Sequence, residues 1–183
     1  LQQAIACYRK AITLNRKYPK AHLSLGRIML KMGQQQEFIK EMQLALALQP
    51  RIGTAMDRFY LANALAEENQ DRQAIGFYCK AIAQNPQFLA PYYRVSAILS
   101  QQGKHDRAIE FLNQAIAQDP QNAEPYYLLA RQWEKQENWD RAVKTYGQVL
   151  QLEPQYPEAS KRLNHALAEK LRLKHQAQSE FKN

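Results

Sequence analysis

The residues best suited to acid–base or metal chemistry are the four histidines, and they are scattered along the sequence: His22, His105, His165 and His175. Neither cysteine, Cys7 or Cys79, has a CxxC partner or nearby histidines at the spacing of a metal site. The sequence also lacks a glycine-rich phosphate loop, a nucleophile elbow and an HExxH pair. Adjacent acids such as Glu67 and Glu68 point to different faces of a helix and cannot share a proton. We therefore predict that the chain is not an enzyme and that it has no catalytic site, metal or cofactor.

The elements that would position any binding residues repeat along the chain. Three stretches align without gaps: AIGFYCKAIAQNP at 74–86, AIEFLNQAIAQDP at 108–120 and AVKTYGQVLQLEP at 142–154. Their closing prolines are 34 residues apart, and stretches 38–50 and 4–16 match less closely. A fixed period of this length is typical of helical repeat arrays.

Each period contains two segments of helical character. Apolar residues recur at i, i+3, i+4 and i+7 in segments such as 89–101 and 105–117, with a short polar break between them. The Asn-Pro, Asp-Pro and Glu-Pro pairs predict the end of each second helix, because a residue before proline resists helical geometry. Short loops make neighbouring helices antiparallel. The sequence therefore predicts stacked helical hairpins that bury one continuous core.

The pattern resembles the tetratricopeptide repeat (TPR) family over nearly the whole chain. The bulky-x-x-Leu-Gly/Ala set appears as Tyr126/Leu129/Ala130, and the Ala-aromatic-Ala-Pro set appears as Ala74/Tyr78/Ala81/Pro86. The resemblance implies an all-α fold, a right-handed α-solenoid of antiparallel helical hairpins with a C-terminal capping helix. It also implies a concave groove lined by the first helix of each hairpin.

Carried along the chain, the resemblance gives a single array over residues 1–178. The predicted parts are a partial repeat at 1–18, hairpins at 19–52, 55–88, 89–122 and 123–156, a capping helix at 157–178 and a frayed tail at 179–183. Phe38 stands where the family usually has Ala, and we expect Gly26 to make room for it. Two residues are inserted near Arg51–Thr54, where they are expected to alter the stacking. Because the array opens in mid-repeat on Leu1, we expect this sequence to be a segment of a longer protein.

The resemblance places groove-facing residues at positions 2, 5, 6, 9 and 12–13 of each first helix. The candidate partner-binding residues are Arg27, Phe59, Tyr60, Asn63, Tyr93, Arg94, Tyr127, Arg131, Lys161, Arg162 and His165. Aromatic and arginine side chains contribute most of the binding energy at many interfaces, and arginine offers a planar fork to a carboxylate. His22 is expected in the core and His105 in a solvated turn.

The predicted function is a protein-interaction scaffold whose groove binds a peptide or protein segment of apolar and acidic character. The alternative is a regulatory or substrate-recruiting region of a larger enzyme whose catalytic domain lies outside this sequence. A chaperone-tail clamp is not expected. Such a clamp uses Lys and Asn on one hairpin, Asn on the next, and Lys and Arg on the third. In one register only Arg94 fits this set, and in the other register only Asn63 fits it.

Charge and composition bear on the partner and the location. The net charge is +8, and it is concentrated in residues 1–52 and 157–183. Basic ends are compatible with a polyanion, but no base-reading code appears, so nucleic acid is not the expected partner. No apolar stretch approaches the ~20 residues of a membrane span. The exposed apolar faces of the terminal helices allow pairing into a homodimer. The two cysteines favour a reducing compartment, so we expect a cytoplasmic location.

Overall fold

The computed structural model describes residues 1–180, which are helical throughout apart from short connections. The helices are α1 Gln2–Leu14, α2 Pro19–Lys31, α3 Gln35–Leu48, α4 Ala55–Glu67, α5 Asp71–Gln84, α6 Ala90–Gln101, α7 His105–Gln118, α8 Ala123–Lys135, α9 Trp139–Leu152 and α10 Ala159–Glu180. No strand occurs in this range. The predicted all-α class of helical hairpins is confirmed. The chain divides into two compact units, an N-terminal unit Leu1–Pro91 and a C-terminal unit that begins at Tyr92.

All four hairpin turns are closed by the same backbone motif. A left-handed residue follows each first helix by two positions: Gly33, Asn69, Gly103 and Glu137, with φ between 55° and 72°. The amide of the next residue donates to a carbonyl five residues back, as in Gln34 N–H to Met29 O at 2.9 Å and Asn138 N–H to Trp133 O at 2.8 Å. This is the Schellman arrangement, which satisfies the last carbonyls of a helix. It reverses the chain within three residues, so the second helix of each hairpin packs antiparallel to the first.

The second helix of each hairpin ends just before a proline. The residues that cap α3, α5, α7 and α9 are extended, with φ near −142°: Gln49, Asn85, Asp119 and Glu153. Each is followed directly by proline, which confirms the predicted stop signals. The α1 helix ends in the same way at Asn15, although Arg16 replaces the proline there.

Close packing in the N-terminal unit centres on the α2–α3 hairpin. A Cβ atom at Gly26 would lie 2.9 Å from Met42 Sδ. The side chain that Gly26 accommodates is therefore Met42, and not Phe38 as the sequence predicted; Phe38 is itself buried. His22 is 4% exposed, which confirms its core position, and its Nδ1 lies 2.6 Å from Glu41 Oε2. Its Nε2 lies 3.0 Å from the Arg16 carbonyl, so the ring links α3 to the loop after α1.

The two-residue insertion forms a tightly hydrogen-bonded loop. Thr54 and Asp57 form a reciprocal capping box at the start of α4, which satisfies free amides at a helix N-terminus. Arg58 is 6% exposed, and its guanidinium donates to the carbonyls of the loop at 2.6–3.3 Å. The acceptors are Pro50, Ile52, Gly53 and Thr54. It also donates to Gln84 Oε1 at 2.7 Å, so one buried arginine fixes the loop and ties it to the end of α5.

The core of the C-terminal unit continues into the last helix. Ala159 and Ala166 of α10 are fully buried against the α8–α9 hairpin, with Leu163 partly buried beside them. Tyr146 is also fully buried in this cluster. The α10 helix runs through Glu180, two residues beyond the predicted end of the capping helix. The rest of the predicted frayed tail, 181–183, lies outside the described residues.

Candidate functional site

In the N-terminal unit, the predicted groove cation Arg27 is already paired. Its Nε and a terminal nitrogen donate to the two Asp57 carboxylate oxygens at 2.8 and 2.6 Å. Burial alone would raise the pKa of Asp57, but hydrogen bonds from Arg27 and Thr54 outweigh it and leave that pKa below its usual value. A bidentate pair of this kind is strong and directional. Arg27 therefore joins α2 to α4 and is not free to grip a ligand carboxylate.

The same unit has a cleft, which we call the N-terminal cleft, of about 180 Å³ between α2, α3 and α4. Its lining residues are Leu30, Gly33, Gln35, Phe38, Tyr60, Asn63, Ala64 and Glu67. Tyr60 is 42% exposed, whereas Asn63 is half-buried and its Oδ1 accepts from the Tyr78 hydroxyl at 2.6 Å. Phe59 does not line the cleft and instead packs against Phe88 with ring centroids 5.0 Å apart. The cleft therefore presents an exposed aromatic ring beside an acid.

The C-terminal unit has a second cleft, which we call the C-terminal cleft, of about 250 Å³ between α6 and α8. Its lining residues are Tyr93, Ser96, Ala97, Ser100, Gln101, Leu128, Arg131, Gln132 and Lys135. Lys135 Nζ donates to Ser100 Oγ at 2.7 Å. Among the described residues, the lining includes two cations and no carboxylate, so its charge is opposite to that of the N-terminal cleft.

Tyr93 forms part of this wall, but its hydroxyl is not displayed to a ligand. The hydroxyl is buried without a hydrogen-bond partner among the described residues. Burial, together with the nearby Glu124 and Asp119 charges, raises the pKa of Tyr93 to about 12. Arg94, the next residue, is exposed. The Tyr93 ring therefore serves as an apolar wall, while Arg94 stands at the surface outside the cleft.

Tyr127 and Arg162 belong to a hydrogen-bonded network. Arg162 Nε donates to the Tyr127 hydroxyl at 3.1 Å, and another of its nitrogens donates to Glu134 Oε2 at 3.0 Å. Burial alone would lower the pKa of Arg162, but the contacts with Tyr127 and Glu134 raise it overall. Tyr127 is 9% exposed. Both residues therefore stabilise the contact between α8 and α10, and neither is free for a partner.

Two further tyrosines are held neutral in this network. Burial, reinforced by Glu134, raises the pKa of Tyr146. Burial and a hydrogen bond to Glu124 raise the pKa of Tyr156. Tyr156 and Tyr127 pack with ring centroids 4.9 Å apart. The C-terminal unit thus contains neutral phenols packed beside carboxylates.

The remaining predicted residues lie on α10. Lys161 and His165 are exposed and line a shallow depression with Glu158 and Arg162. His165 packs edge-on to Trp139 at 5.8 Å. The structure thus groups seven of the eleven predicted residues in three places: Tyr60 with Asn63, Tyr93 with Arg131, and Lys161 with Arg162 and His165.

Ser100, Gln132 and Lys135 are among the lining residues of the C-terminal cleft that were not predicted. Ser100 and Lys135 occupy repeat positions 12 and 13, which the family resemblance names as groove-facing, so this signal could have found them. Gln132 is 6% exposed and lies 3.2 Å from His105 Nδ1. That contact also corrects the expectation for His105, which is half-buried at the start of α7 and not solvated in a turn.

Comparison with known sequences gives three family matches along the chain. Profiles described as tetratricopeptide repeat match residues 59–123 and 99–161, and a profile described as TPR repeat matches residues 1–33. The chain belongs to the tetratricopeptide repeat family. TPR proteins are generally scaffolds for protein–protein interaction. Among curated proteins, none gives a significant sequence match.

Solved TPR structures share the fold at low sequence identity. YrrB, described as a TPR protein with an unusual peptide-binding site, is 19% identical with a TM-score of 0.73, over 87% of this chain and 81% of YrrB. MamA from Desulfovibrio magneticus is 19% identical with a TM-score of 0.68, over 90% and 92%. The C-terminal part of a TPR protein from Cytophaga hutchinsonii is 17% identical with a TM-score of 0.76, over 92% and 66%. At these identities the likeness establishes the fold alone.

Residues 1–180 contain neither a candidate membrane span nor a candidate metal site. No helix in this range is long and apolar enough to cross a bilayer. No group of three or more His, Cys, Asp or Glu residues in this range is arranged to hold a metal ion.

Proposed function

We propose that this TPR chain binds segments of partner proteins against the first helices of its hairpins, using the N-terminal cleft and the C-terminal cleft as side-chain pockets. The observation that carries the proposal is their equivalent position. Tyr60, Asn63 and Glu67 occupy repeat positions 6, 9 and 13 in α4, and Leu128, Arg131 and Lys135 occupy the same positions in α8. Each unit therefore has a recess at the same repeat position, which suits a peptide that lies across the first helices of that unit.

The side chains beside the clefts support the proposal. Tyr60 exposes a large ring next to Leu30, and aromatic side chains supply contact area at a low cost in conformational entropy. Arg94 is exposed on the first turns of α6, where it can form a salt bridge or stack on a ring. Each recess is large enough for one side chain rather than for a drug-sized ligand. The recorded peptide-binding site of YrrB is consistent with this use of the fold.

The proposal is tested by selecting binders from a random dodecapeptide library displayed on phage and measuring their affinity by fluorescence anisotropy. We expect enriched peptides with roughly micromolar affinity, which is ordinary for a modest groove. Tyr60→Ala or Arg94→Ala should lower the affinity for these peptides about tenfold, the loss expected when one interface anchor is truncated.

Two matched variants control for general effects on the fold. Leu44→Ala removes an exposed apolar side chain from α3, and Arg107→Ala removes an exposed arginine from α7. Both are second helices, so neither variant should change the affinity. The proposal fails if no peptide is enriched, or if the enriched peptides bind all four variants as tightly as the wild type.

A further inference from the structure

We propose that the C-terminal cleft is a subsite for one anionic side chain of the bound segment, a carboxylate or a phosphoryl group. This inference rests on the proposed function, and it names the partner chemistry that one of the two clefts selects. Arg131 and Lys135 supply the charge, and Ser100 and Gln132 supply neutral hydrogen-bonding groups.

The two cations lie on the same wall of the cleft. Arg131 and Lys135 are four residues apart on α8, so their side chains are neighbours on one helix face. Arg131 is half-buried, and no ion pair involving either residue occurs among the recorded salt bridges of residues 1–178. Like charges at this spacing repel. An anionic oxygen placed between them removes that repulsion and gains two charge-assisted hydrogen bonds.

Two neutral side chains of the lining can also donate a hydrogen bond. Gln132 is more than nine-tenths buried, and its Oε1 accepts from His105 Nδ1 at 3.2 Å. This leaves the Gln132 amide NH₂ as a donor at the cleft. Ser100 Oγ accepts from Lys135 Nζ at 2.7 Å, so its own proton is also available to a ligand oxygen. The lining of one recess of about 250 Å³ therefore includes four side chains that can donate a hydrogen bond.

Two of the other predicted groove arginines lack this freedom. Arg27 is engaged by Asp57, and Arg162 is engaged by Glu134 and Tyr127. Their charges are already compensated, so an incoming carboxylate would have to displace an internal partner. Arg94 and Lys161 are exposed but do not line the C-terminal cleft, so the preference of this cleft for an anion is assigned to Arg131 and Lys135.

The test is a titration of the ¹⁵N-labelled chain with three capped pentapeptides, followed by NMR. The peptides are acetyl-Ala-Leu-Xaa-Leu-Ala-amide with glutamate, glutamine or phosphoserine at the centre. We expect the glutamate peptide to bind about tenfold more tightly than the glutamine peptide, as one well-placed ion pair allows. The chemical-shift changes should be largest at the backbone amides of Ser100, Arg131, Gln132 and Lys135. The phosphoserine peptide distinguishes a phosphoryl site, if it binds more tightly still, from a carboxylate site.

Matched variants separate this subsite from general surface charge. Arg131→Gln combined with Lys135→Gln should abolish the difference between the glutamate and glutamine peptides. Lys144→Gln, an exposed lysine on α9, should preserve it. Arg131→Lys keeps the charge and should retain most of the difference, which shows that the double variant acts through charge and not through misfolding. Added salt should lower the affinity for the glutamate peptide and leave the affinity for the glutamine peptide nearly unchanged.

Equal affinity for the glutamate and glutamine peptides would overturn the inference. So would a difference that survives in the double variant, or the absence of shifts at the cleft with all three peptides. Any of these results, together with enriched display peptides that depend on Tyr60, would leave the proposed function standing. The predicted pentapeptide result, together with a display selection that yields nothing, would uphold the subsite and reject the wider proposal.

Discussion

The two clefts occupy the same place in the repeat and carry opposite charge. Residues of α4 and α8 correspond at a separation of two 34-residue periods: Tyr60 with Leu128, Asn63 with Arg131, Ala64 with Gln132 and Glu67 with Lys135. The backbone repeats and the side chains do not. Two helical hairpins of one fold can therefore present an aromatic recess with an acid at one place and a basic recess with hydroxyl groups at the other.

The position of a charged residue in the repeat does not decide whether it stabilises the fold or binds a partner. Arg27 and Arg131 both stand at position 9 of a first helix. Arg27 meets Asp57 from the next first helix, whereas Arg131 has no recorded carboxylate partner. The neighbouring residue, and not the repeat position, determines whether an arginine stabilises the fold or remains available to a partner.

The largest effect is expected from Arg58→Ala in the N-terminal unit. The substitution removes a buried donor shared by four loop carbonyls, of which Gly53 O and Thr54 O keep a second donor. The unit should therefore lose roughly 3 kcal/mol of stability. Hydrogen exchange followed by mass spectrometry should show faster exchange in the insertion loop and α4, with no change in α8–α10. Arg94→Ala, which removes an exposed arginine, should change neither unit. Unaltered exchange in Arg58→Ala would mean that the loop is not held by this residue.

Asp57→Asn should have the next largest effect, because it weakens both the capping box and the Arg27 pair. We expect a loss of about 1–2 kcal/mol, the usual contribution of a helix cap. The pKa of Asp57 is depressed in the folded chain, so its contribution is present at neutral pH and is lost as the pH falls through and below about 4. Urea unfolding should show that the free energy of unfolding falls more steeply between pH 7 and pH 3 for the wild type than for Asp57→Asn.

This substitution also sharpens the comparison of the two arginines. With its internal partner neutralised, Arg27 should behave like Arg131, and the N-terminal unit should gain affinity for the glutamate pentapeptide. If the wild type and Asp57→Asn lose the same stability between pH 7 and pH 3, the ionised Asp57 carboxylate does not stabilise the fold.

Tyr93→Phe should produce a smaller change of the opposite sign in the C-terminal unit. It removes a buried hydroxyl that has no partner, so stability at pH 7 should stay level or rise by up to about 1 kcal/mol. An unfolded tyrosine ionises near pH 10, whereas Tyr93 keeps its proton to about pH 12 in the folded chain. Stability should therefore fall as the pH rises above about 10, and less steeply in Tyr93→Phe. A lower melting temperature for this variant at pH 7 would reveal a hydrogen bond that the structure does not contain.

Glu137→Gly is expected to have an effect of similar, small size. Glu137 adopts φ 55° in the turn between α8 and α9, a region that costs a residue with a side chain roughly 1 kcal/mol. Glycine should recover about 0.5–1 kcal/mol, measured as a rise in the melting temperature. Asn69, at the equivalent turn of the N-terminal unit, already tolerates this geometry better, so Asn69→Gly should gain less. An equal gain at both turns would remove this difference between the units.

The fold was largely predictable because its signals are local. The prolines after Gln49, Asn85, Asp119 and Glu153 mark helix ends, and the helical periodicity marks the segments between them. The partner of Gly26 was misassigned to Phe38, since the choice between Phe38 and Met42 depends on how two helices cross. That crossing is not encoded in any short stretch of sequence.

The candidate site was less predictable, because its chemistry depends on contacts between distant residues. The pairs Arg27–Asp57 and Arg162–Glu134 join residues about thirty positions apart. The family pattern identifies both arginines as groove-facing but does not show that each has an acidic neighbour. Lys135 could have been found from its repeat position alone, whereas the orientation of Gln132 by His105 could not.

The most direct test of the account is to exchange the charges of the two clefts. One variant carries Asn63→Arg, Glu67→Lys, Arg131→Asn and Lys135→Glu, all at partly or fully exposed positions. It is titrated with the glutamate pentapeptide and followed by NMR beside the wild type. The account predicts that the shifted amides move from Ser100 and its neighbours in α8 to residues around Leu30 and Tyr60. Shifts that remain at the C-terminal cleft would contradict it.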